Sequence, residues 1–159
     1  MKNNTHQFNF VSTTVEELTR EQQELVNAAM EITPHAYAPY SNFKVGAAVG
    51  LTDGSIITGT NIENASYPAG ICAERAALSA IRPFPQGQKI KAIAVYYISS
   101  GAQCTPIAPC GICRQVILEY RSAQDEAIQM LLASPSGEVA IVDDINHLLP
   151  LFFSKQSLK

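Results

Sequence analysis

The sequence predicts an α/β protein in which helices pack on a mixed β-sheet. Two observations support this fold class. Short apolar segments of strand length alternate with longer segments whose apolar residues recur at helical spacing. Their order along the chain, α-β-β-α-β-α-β-β-α, is typical of one α/β domain. The length of 159 residues suits a single domain, and a core of that size needs no disulfide or metal to hold it together.

Four segments have the features of helices. The first opens with Thr14-Val15-Glu16-Glu17, which has the form of a capping box, and Pro34 ends it because proline cannot continue a helix. Proline at position 83 stops the second helix in the same way. The predicted helices cover residues 15–32, 72–82, 110–120 and 145–149.

Five segments have the features of strands. They are short, apolar and bounded by Gly, Pro, Asp or Ser. The first two flank Asp53-Gly54, a dipeptide that favours a tight hairpin turn. The predicted strands cover residues 44–50, 56–60, 91–99, 128–133 and 139–142. We expect residues 1–13, which are mostly polar, to form a flexible N-terminal arm before a domain that covers 14–159.

Charge and hydropathy exclude two kinds of partner. The chain has 11 basic and 14 acidic residues, a formal net charge of −3, whereas a nucleic-acid surface needs clustered Lys and Arg. No apolar run approaches the roughly 20 residues of a membrane span, and the N-terminus lacks the core of a signal peptide. We therefore expect a cytoplasmic protein that binds neither nucleic acid nor membrane.

The four cysteines lie close to the predicted helix starts. A reducing compartment disfavours structural disulfides, so a metal site, a redox pair and buried thiols are the alternatives. Cys110 and Cys113 are three residues apart and share one helix face. Cys72 lies 38 positions before Cys110, also at a loop-to-helix junction, and the positive end of a helix favours thiolate over thiol.

Glu74 follows Cys72 by two residues. In an ideal helix the two side chains point about 200° apart, so both serve one site only if Cys72 lies at the helix start. Three thiolates with an open position indicate a catalytic zinc site, since structural sites close with four protein ligands. Cys104 could complete a four-cysteine site, but a buried or incidental thiol is the favoured role.

Cys72-x-Glu74 followed by Pro109-Cys110-x-x-Cys113 matches the zinc-deaminase pattern, with Cys at the position where His also occurs. Over residues 14–153 the chain resembles the small cytidine deaminases that act on free nucleosides. The segments that carry the resemblance are 38–41 (APYS), 43–48 (FKVGAA), 61–65 (NIENA), 70–75 (GICAER), 109–116 (PCGICRQV) and 148–150 (LLP).

The resemblance implies a fold, a reaction and an assembly. The fold is a three-layer α-β-α arrangement with a mixed five-stranded sheet. The reaction is hydrolytic deamination of cytidine and deoxycytidine to uridine and deoxyuridine plus ammonia, in pyrimidine salvage. One Zn²⁺ per subunit is held by Cys72, Cys110 and Cys113, and Glu74 moves the protons. The subunits form a homotetramer, with a dimer as the alternative.

The resemblance also implies residues that bind the substrate. Asn61 and Glu63 match the pair that hydrogen-bonds the ribose hydroxyls, and their two-residue spacing on an extended segment puts both side chains on one face. The expected contacts with the substrate come from Phe43, Asn61, Glu63, Ala73 and Phe153, the last reaching a neighbouring subunit's site in competition with Phe152.

Arg75 has an electrostatic role in this interpretation. Zinc with three thiolates carries a net charge of −1, and a hydroxide would make it −2, so this ligand set opposes ionisation of water. A neighbouring cation and the positive helix ends offset that charge. We therefore expect Arg75 to tune the charge of the site.

Three alternatives stay open at this point. A deaminase of another aminopyrimidine, such as blasticidin S, shares the zinc motif, but as we interpret the family pattern it lacks Arg75 and the Asn61/Glu63 pair. A non-catalytic zinc module has no need of Glu74 beside the metal. A redox protein using Cys110 and Cys113 leaves Cys72 and Glu74 unexplained.

Overall fold

The computed structural model describes residues 1–81, 88–101 and 104–158. Within these residues there are six strands, β1 (Val11–Thr14), β2 (Lys44–Leu51), β3 (Ile56–Thr60), β4 (Ile90–Ile98), β5 (Gln129–Ala133) and β6 (Glu138–Val142), and three α-helices, α1 (Arg20–Ile32), α2 (Ala73–Ser79) and α3 (Gly111–Gln124). The helix α3 has 14 residues, and no helix in the described part of the chain combines the length and apolar character needed to cross a bilayer.

The strands form one mixed sheet in the order β1-β6-β5-β4-β2-β3. Only the β4–β5 pair is parallel, and the other pairs are antiparallel. The mixed sheet is as predicted, but the prediction of five strands is wrong by one. The additional strand, β1, pairs with β6 from Val11 opposite Ile141 to Thr14 opposite Glu138. These four residues fall largely in the predicted arm, and their strand character appears only when the edge of β6 is there to pair with.

Helices cover both faces of the sheet, which confirms the three-layer arrangement. On β4, Ala92 and Ala94 pack into the cluster that contains α1 residues, whereas Ile93 and Val95 pack into the cluster that contains α2 and α3 residues. The alternation follows from the two-residue period of a strand. The predicted site residues Cys72, Glu74, Cys110 and Cys113 lie at the starts of α2 and α3.

Gly59 on β3 fixes the position of α2. A Cβ atom at this glycine would lie 2.4 Å from the backbone nitrogen of Ala77 and 2.7 Å from the carbonyl oxygen of Ala73. Any side chain there would push the helix away from the sheet, because real Cβ contacts do not approach that closely. The start of α2 is therefore held at a distance from the sheet that only glycine allows.

The helix bounds differ from the predicted ones at several ends. Thr14 opens a single 3-10 turn, Val15–Glu17, whereas α1 begins five residues later than predicted, behind a second capping box formed by Thr19 and Gln22. The backbone is extended at Leu18, so the 3-10 turn and α1 are separate elements. The fourth predicted helix is a 3-10 turn, Ile145–Leu148. The predicted end of the second helix, at 82 and Pro83, lies outside the described residues.

Candidate active site

Three cysteine thiols meet where α2 and α3 begin. The Sγ atoms of Cys72 and Cys110 are 3.8 Å apart, and those of Cys110 and Cys113 are 3.5 Å apart. All three sulfurs lie within 4.8 Å of one another. Among the described residues Cys104 stays outside this cluster and is exposed, so it is neither the fourth member nor a buried thiol.

The backbone at the helix starts brings the thiols together. Cys72 and Cys110 are the N-cap residues of α2 and α3, both with extended backbone angles. This confirms the expectation that Cys72 lies at a helix start, where it can serve the same site as Glu74. Cys113 lies one turn into α3 and is buried.

The spacing of the sulfurs fits a zinc ion. Two sulfurs that each lie 2.3 Å from a tetrahedral zinc are about 3.8 Å apart, close to the two separations observed. A hydrogen bond from the Cys113 thiol lowers the pKa of Cys72 to about 6, and the same interaction together with burial raises the pKa of Cys113. The cluster thus stabilises a thiolate at Cys72, and thiolate is the form that binds metal.

Glu74 stands beside the thiols at the wall of a cavity of about 640 Å³. The residue is only 4% exposed, and burial raises the pKa of its carboxyl above the usual value. A carboxyl shifted in this direction moves toward the range in which it both accepts and returns a proton near neutral pH. The cavity volume is within the range of small-ligand sites, about 300–1,000 Å³.

Asn61 and Glu63 also line this cavity, on the segment between β3 and α2. The Oδ1 atom of Asn61 accepts a hydrogen bond from the Val45 backbone N–H at 2.7 Å, and its Nδ2 donates to the Phe43 carbonyl at 2.9 Å. The backbone around them pairs only at isolated bridges, such as Ile62 with Tyr37. The side chain of Asn61 therefore ties its loop to the start of β2.

The carboxylate of Glu63 holds the loop that precedes β2. It accepts hydrogen bonds from the Tyr40 backbone N–H at 2.8 Å, from the Ser41 backbone N–H at 3.3 Å, and from the Ser41 hydroxyl. The bond from the Ser41 hydroxyl, followed by that from Tyr40, lowers the pKa of Glu63 below its usual value. The charged form is thereby favoured, so the carboxylate is an acceptor only.

The remaining predicted residues take different positions. Ala73 is fully buried and lines the cavity. Arg75 is half-buried on α2, and its charge lowers the pKa of Cys72 and of Glu74. Phe43 packs with its ring against Tyr97, beside the cavity and not in its lining. Phe153 is 60% exposed and lies away from the cavity, with its carbonyl accepting a bond from Gln115.

Two features of the site were missed by the sequence analysis. The hydrogen bond from Ser41 to Glu63 joins residues 22 positions apart, and the ring stack of Phe43 on Tyr97 joins the residue just before β2 to a residue of β4. The only sequence signal for the first is the presence of Ser41 in the segment 38–41 that carries the resemblance. The second could be found only from the register of β2 against β4.

A three-thiol zinc centre beside a buried carboxylate, on a three-layer α-β-α fold, defines the class of zinc-dependent deaminases. The family model described as "Cytidine and deoxycytidylate deaminase zinc-binding region" matches residues 19–128. The chain belongs to this family, and its cofactor is zinc.

The relatives agree with this placement. The chain is 37% identical to the cytidine deaminase of Halalkalibacterium halodurans over 139 residues, which cover 87% of this chain and 98% of that protein. It is 36% identical to the cytidine deaminase of Sporosarcina psychrophila, over 86% of this chain and 93% of that protein. The crystal structure of the Burkholderia pseudomallei cytidine deaminase is 40% identical with a TM-score of 0.69, and covers 86% of this chain and 100% of that one.

Proposed function

We propose that this protein hydrolyses the amino group of cytidine and deoxycytidine, releasing uridine or deoxyuridine and ammonia. The observation that carries the proposal is a cluster of three thiols beside a cavity of nucleoside size, with Cys72, Cys110 and the buried Glu74 in the cavity wall. The similarity to proteins named cytidine deaminase supports the choice of base. A non-catalytic zinc module is disfavoured because nothing in such a module requires a carboxyl at this wall.

In the proposed reaction Cys72, Cys110 and Cys113 hold the metal and Glu74 moves protons. When bound there, zinc supplies Lewis acidity, which lowers the pKa of the attacking water. The oxygen of that water bonds to the ring carbon that carries the amino group. Glu74 takes one proton from the water and delivers it to the ring nitrogen. It then takes the second proton from the hydroxyl oxygen now bonded to the ring carbon and delivers it to the amino group, which leaves as ammonia when its bond to that carbon breaks and the oxygen becomes the carbonyl of uridine.

Binding of the nucleoside is assigned to the other walls of the cavity. We assign the ribose hydroxyls to Asn61 and Glu63; in support, each keeps lone pairs or an N–H beyond the bonds that it makes to the protein. Ala73 contacts the base, and Phe43 packs against the pyrimidine ring of the base. Arg75 lowers the pKa of Glu74, and we assign it the role of tuning the charge around the metal.

One experiment tests the proposal. The loss of cytidine absorbance is followed for the wild-type protein and for Glu74→Ala, with zinc measured in both. We expect the wild type to turn over cytidine or deoxycytidine, and the variant to keep its zinc while its rate falls by about 10²–10⁴. A zinc-loaded wild type that is inactive on both nucleosides would contradict the proposal.

We also propose that the active form is a homotetramer in which Phe153 reaches the site of a neighbouring subunit. Phe153 is 60% exposed, and the mouth of the cavity carries the exposed side chains of Tyr40, Ile62 and Tyr67. Such a concentration of apolar surface favours a protein partner. Light scattering on the active protein tests this, and a monodisperse active monomer would refute shared sites.

A further inference from the structure

Tyr97 lies next to the substrate cavity without lining it. Its side chain is fully buried, and it follows Val95, which does line the cavity, by two residues on β4. Side chains two residues apart on a strand share a face, so Tyr97 lies on the same sheet face as Val95, next to the cavity lining. We propose that Tyr97 is a positioning residue that holds the Phe43 ring in place for the base. This inference rests on the proposed role of Phe43.

The two rings stack face to face. Their centroids are 5.2 Å apart and their planes differ by 9°. The register explains the contact, because Val45 of β2 lies opposite Tyr97 of β4 and Phe43 precedes Val45 by two residues. Phe43 is therefore the diagonal neighbour of Tyr97 on one sheet face, a distance that aromatic side chains span.

Phe43 depends on such side-chain contacts because it lies just outside the strand. The residue before it, Asn42, has a positive φ of 55°, and β2 begins only at Lys44. The backbone of Phe43 is bonded to side chains instead: its N–H donates to the Ser41 hydroxyl, and its carbonyl accepts from Asn61. Among the described residues, the stack with Tyr97 is the aromatic contact of this ring, and it holds the ring parallel to that of Tyr97.

The hydroxyl of Tyr97 makes a second contact, donating to the Thr105 carbonyl at 2.9 Å. Thr105 belongs to the segment that leads to Cys110, and Ile107 of that segment lines the cavity. Thr105 is exposed, so water can replace the hydroxyl at its carbonyl. The ring of Tyr97 therefore contributes more to the positioning than its hydroxyl does.

The adjacent Tyr96 provides a matched control. Because neighbouring side chains on a strand point to opposite faces, the Tyr96 side chain lies on the other face of the sheet. There it is half-buried against the cluster that contains α1 residues. Replacing Tyr96 with leucine removes a tyrosine ring from the same strand and leaves the Phe43–Tyr97 stack in place, although the Tyr96 ring also lies 6.4 Å from that of Tyr97 at a tilt of 38°. Any effect that comes only from losing a tyrosine on β4 will appear in both variants.

A double-mutant cycle on the zinc-loaded enzyme tests the inference, with KM and kcat for cytidine as the readout. Phe43→Leu and Tyr97→Leu should each raise KM about tenfold, the size of one lost ring contact with a base, while kcat and zinc content stay near wild type because binding alone is weakened. If Tyr97 acts through Phe43, the double variant should exceed Phe43→Leu by no more than about twofold.

Two further variants complete the test. Tyr97→Phe keeps the stack and loses one hydrogen bond, so its KM should stay within about threefold of wild type, and Tyr96→Leu should stay within about twofold. If Tyr97→Leu does not fold, Tyr97→Met replaces it in the cycle because it keeps most of the volume without a ring.

Three results would overturn the inference: KM increases that multiply in the double variant, a Tyr97→Phe enzyme as impaired as Tyr97→Leu, or a Tyr96→Leu enzyme with the same rise in KM. An unchanged KM in Phe43→Leu would overturn it as well, and with it the assigned role of Phe43. Failure of the proposed reaction is distinguished beforehand, because the wild-type enzyme would then show no turnover of either nucleoside.

Discussion

Two ends of the cavity are built in different ways. The thiol end, which consists of the three clustered cysteines and Glu74, is carried by the starts of α2 and α3. Its Cys113 and Glu74 are buried, whereas Cys72 is half-buried and Cys110 is exposed. The loop end, which consists of Asn61 and Glu63, is carried by a segment with only isolated bridges. At the thiol end the backbone positions the side chains. At the loop end the side chains position the backbone, through the bonds of Asn61 to β2 and of Glu63 to Ser41.

This difference teaches which residues can be removed without cost to the fold. Burial disfavours the charged form of Glu74, which is why its pKa is raised, so the folded state gains little from that carboxylate. Glu63 is the opposite case, because its hydrogen bonds favour the charged form and lower its pKa. Substitutions at the thiol end should therefore affect chemistry, and those at the loop end should affect both binding and stability.

The largest expected effect is the loss of a thiol. Cys113→Ser should reduce zinc from about one ion per chain to near zero and abolish deamination, because three protein ligands are the minimum for a catalytic zinc site. Cys104→Ser is the matched control and should keep both, because Cys104 lies outside the cluster. Zinc analysis and initial rates check this. A Cys113→Ser protein with full zinc would show that the thiol end does not hold the metal through Cys113.

The comparison itself is tested by Glu63→Ala against Glu74→Ala. We expect Glu63→Ala to raise KM for cytidine roughly tenfold and to lower Tm by a few degrees, since Tyr40 and Ser41 lose their acceptor. Glu74→Ala should leave Tm unchanged or raise it, while the rate of deamination is largely lost. Equal Tm values for Glu63→Ala and wild type would show that the loop end is not held by this side chain.

The stability difference between wild type and Glu63→Ala should depend on pH. The folded state lowers the pKa of Glu63 below its ordinary value of 4.5, so the carboxylate contributes its full stabilisation above that value. As pH falls below 4.5 and through the lower folded pKa, the contribution is lost. The difference in Tm should therefore be constant near neutral pH and shrink in acid, and thermal melts across this range check it.

A smaller effect is expected from Arg75→Gln. The charge of Arg75 lowers the pKa of Glu74, so removing it should leave Glu74 protonated up to a higher pH. The acid limb of the rate profile should then move to higher pH, with zinc content unchanged. A pH–rate profile identical to wild type would eliminate the charge-tuning role.

The smallest effect is expected from Ser41→Ala. This change removes the hydroxyl bond to the Glu63 carboxylate and the acceptor of the Phe43 N–H, and it leaves the backbone N–H groups of Tyr40 and Ser41 in place. KM should rise about two- to threefold with kcat unchanged. A rise as large as that of Glu63→Ala would mean that the loop end depends on the hydroxyl alone.

The parts of this protein that could be predicted from its sequence are those with a local signal. Cys110 and Cys113 share a helix face because of a three-residue spacing, and prolines and capping residues mark most element ends. Strand β1 could not be predicted, because residues 11–14 become a strand only by pairing with residues 138–141. The sequence pattern at Thr14 predicts the start of α1, but Thr14 opens a 3-10 turn. A capping box has the same sequence pattern before a 3-10 turn and before an α-helix, so the pattern does not distinguish the two.

The sequence by itself therefore determined which groups are available to the site: three thiols near two helix starts, one carboxyl two residues after the first of them, and a polar pair with two-residue spacing. Tertiary structure alone decided that Cys72 meets Cys110 at 3.8 Å, that Ser41 holds Glu63, and that Tyr97 stacks on Phe43. The physical reason is the range of the interactions. Residues within one or two helical turns are related by the fixed geometry of the backbone, whereas residues on different elements are related only by strand register and packing across the sheet.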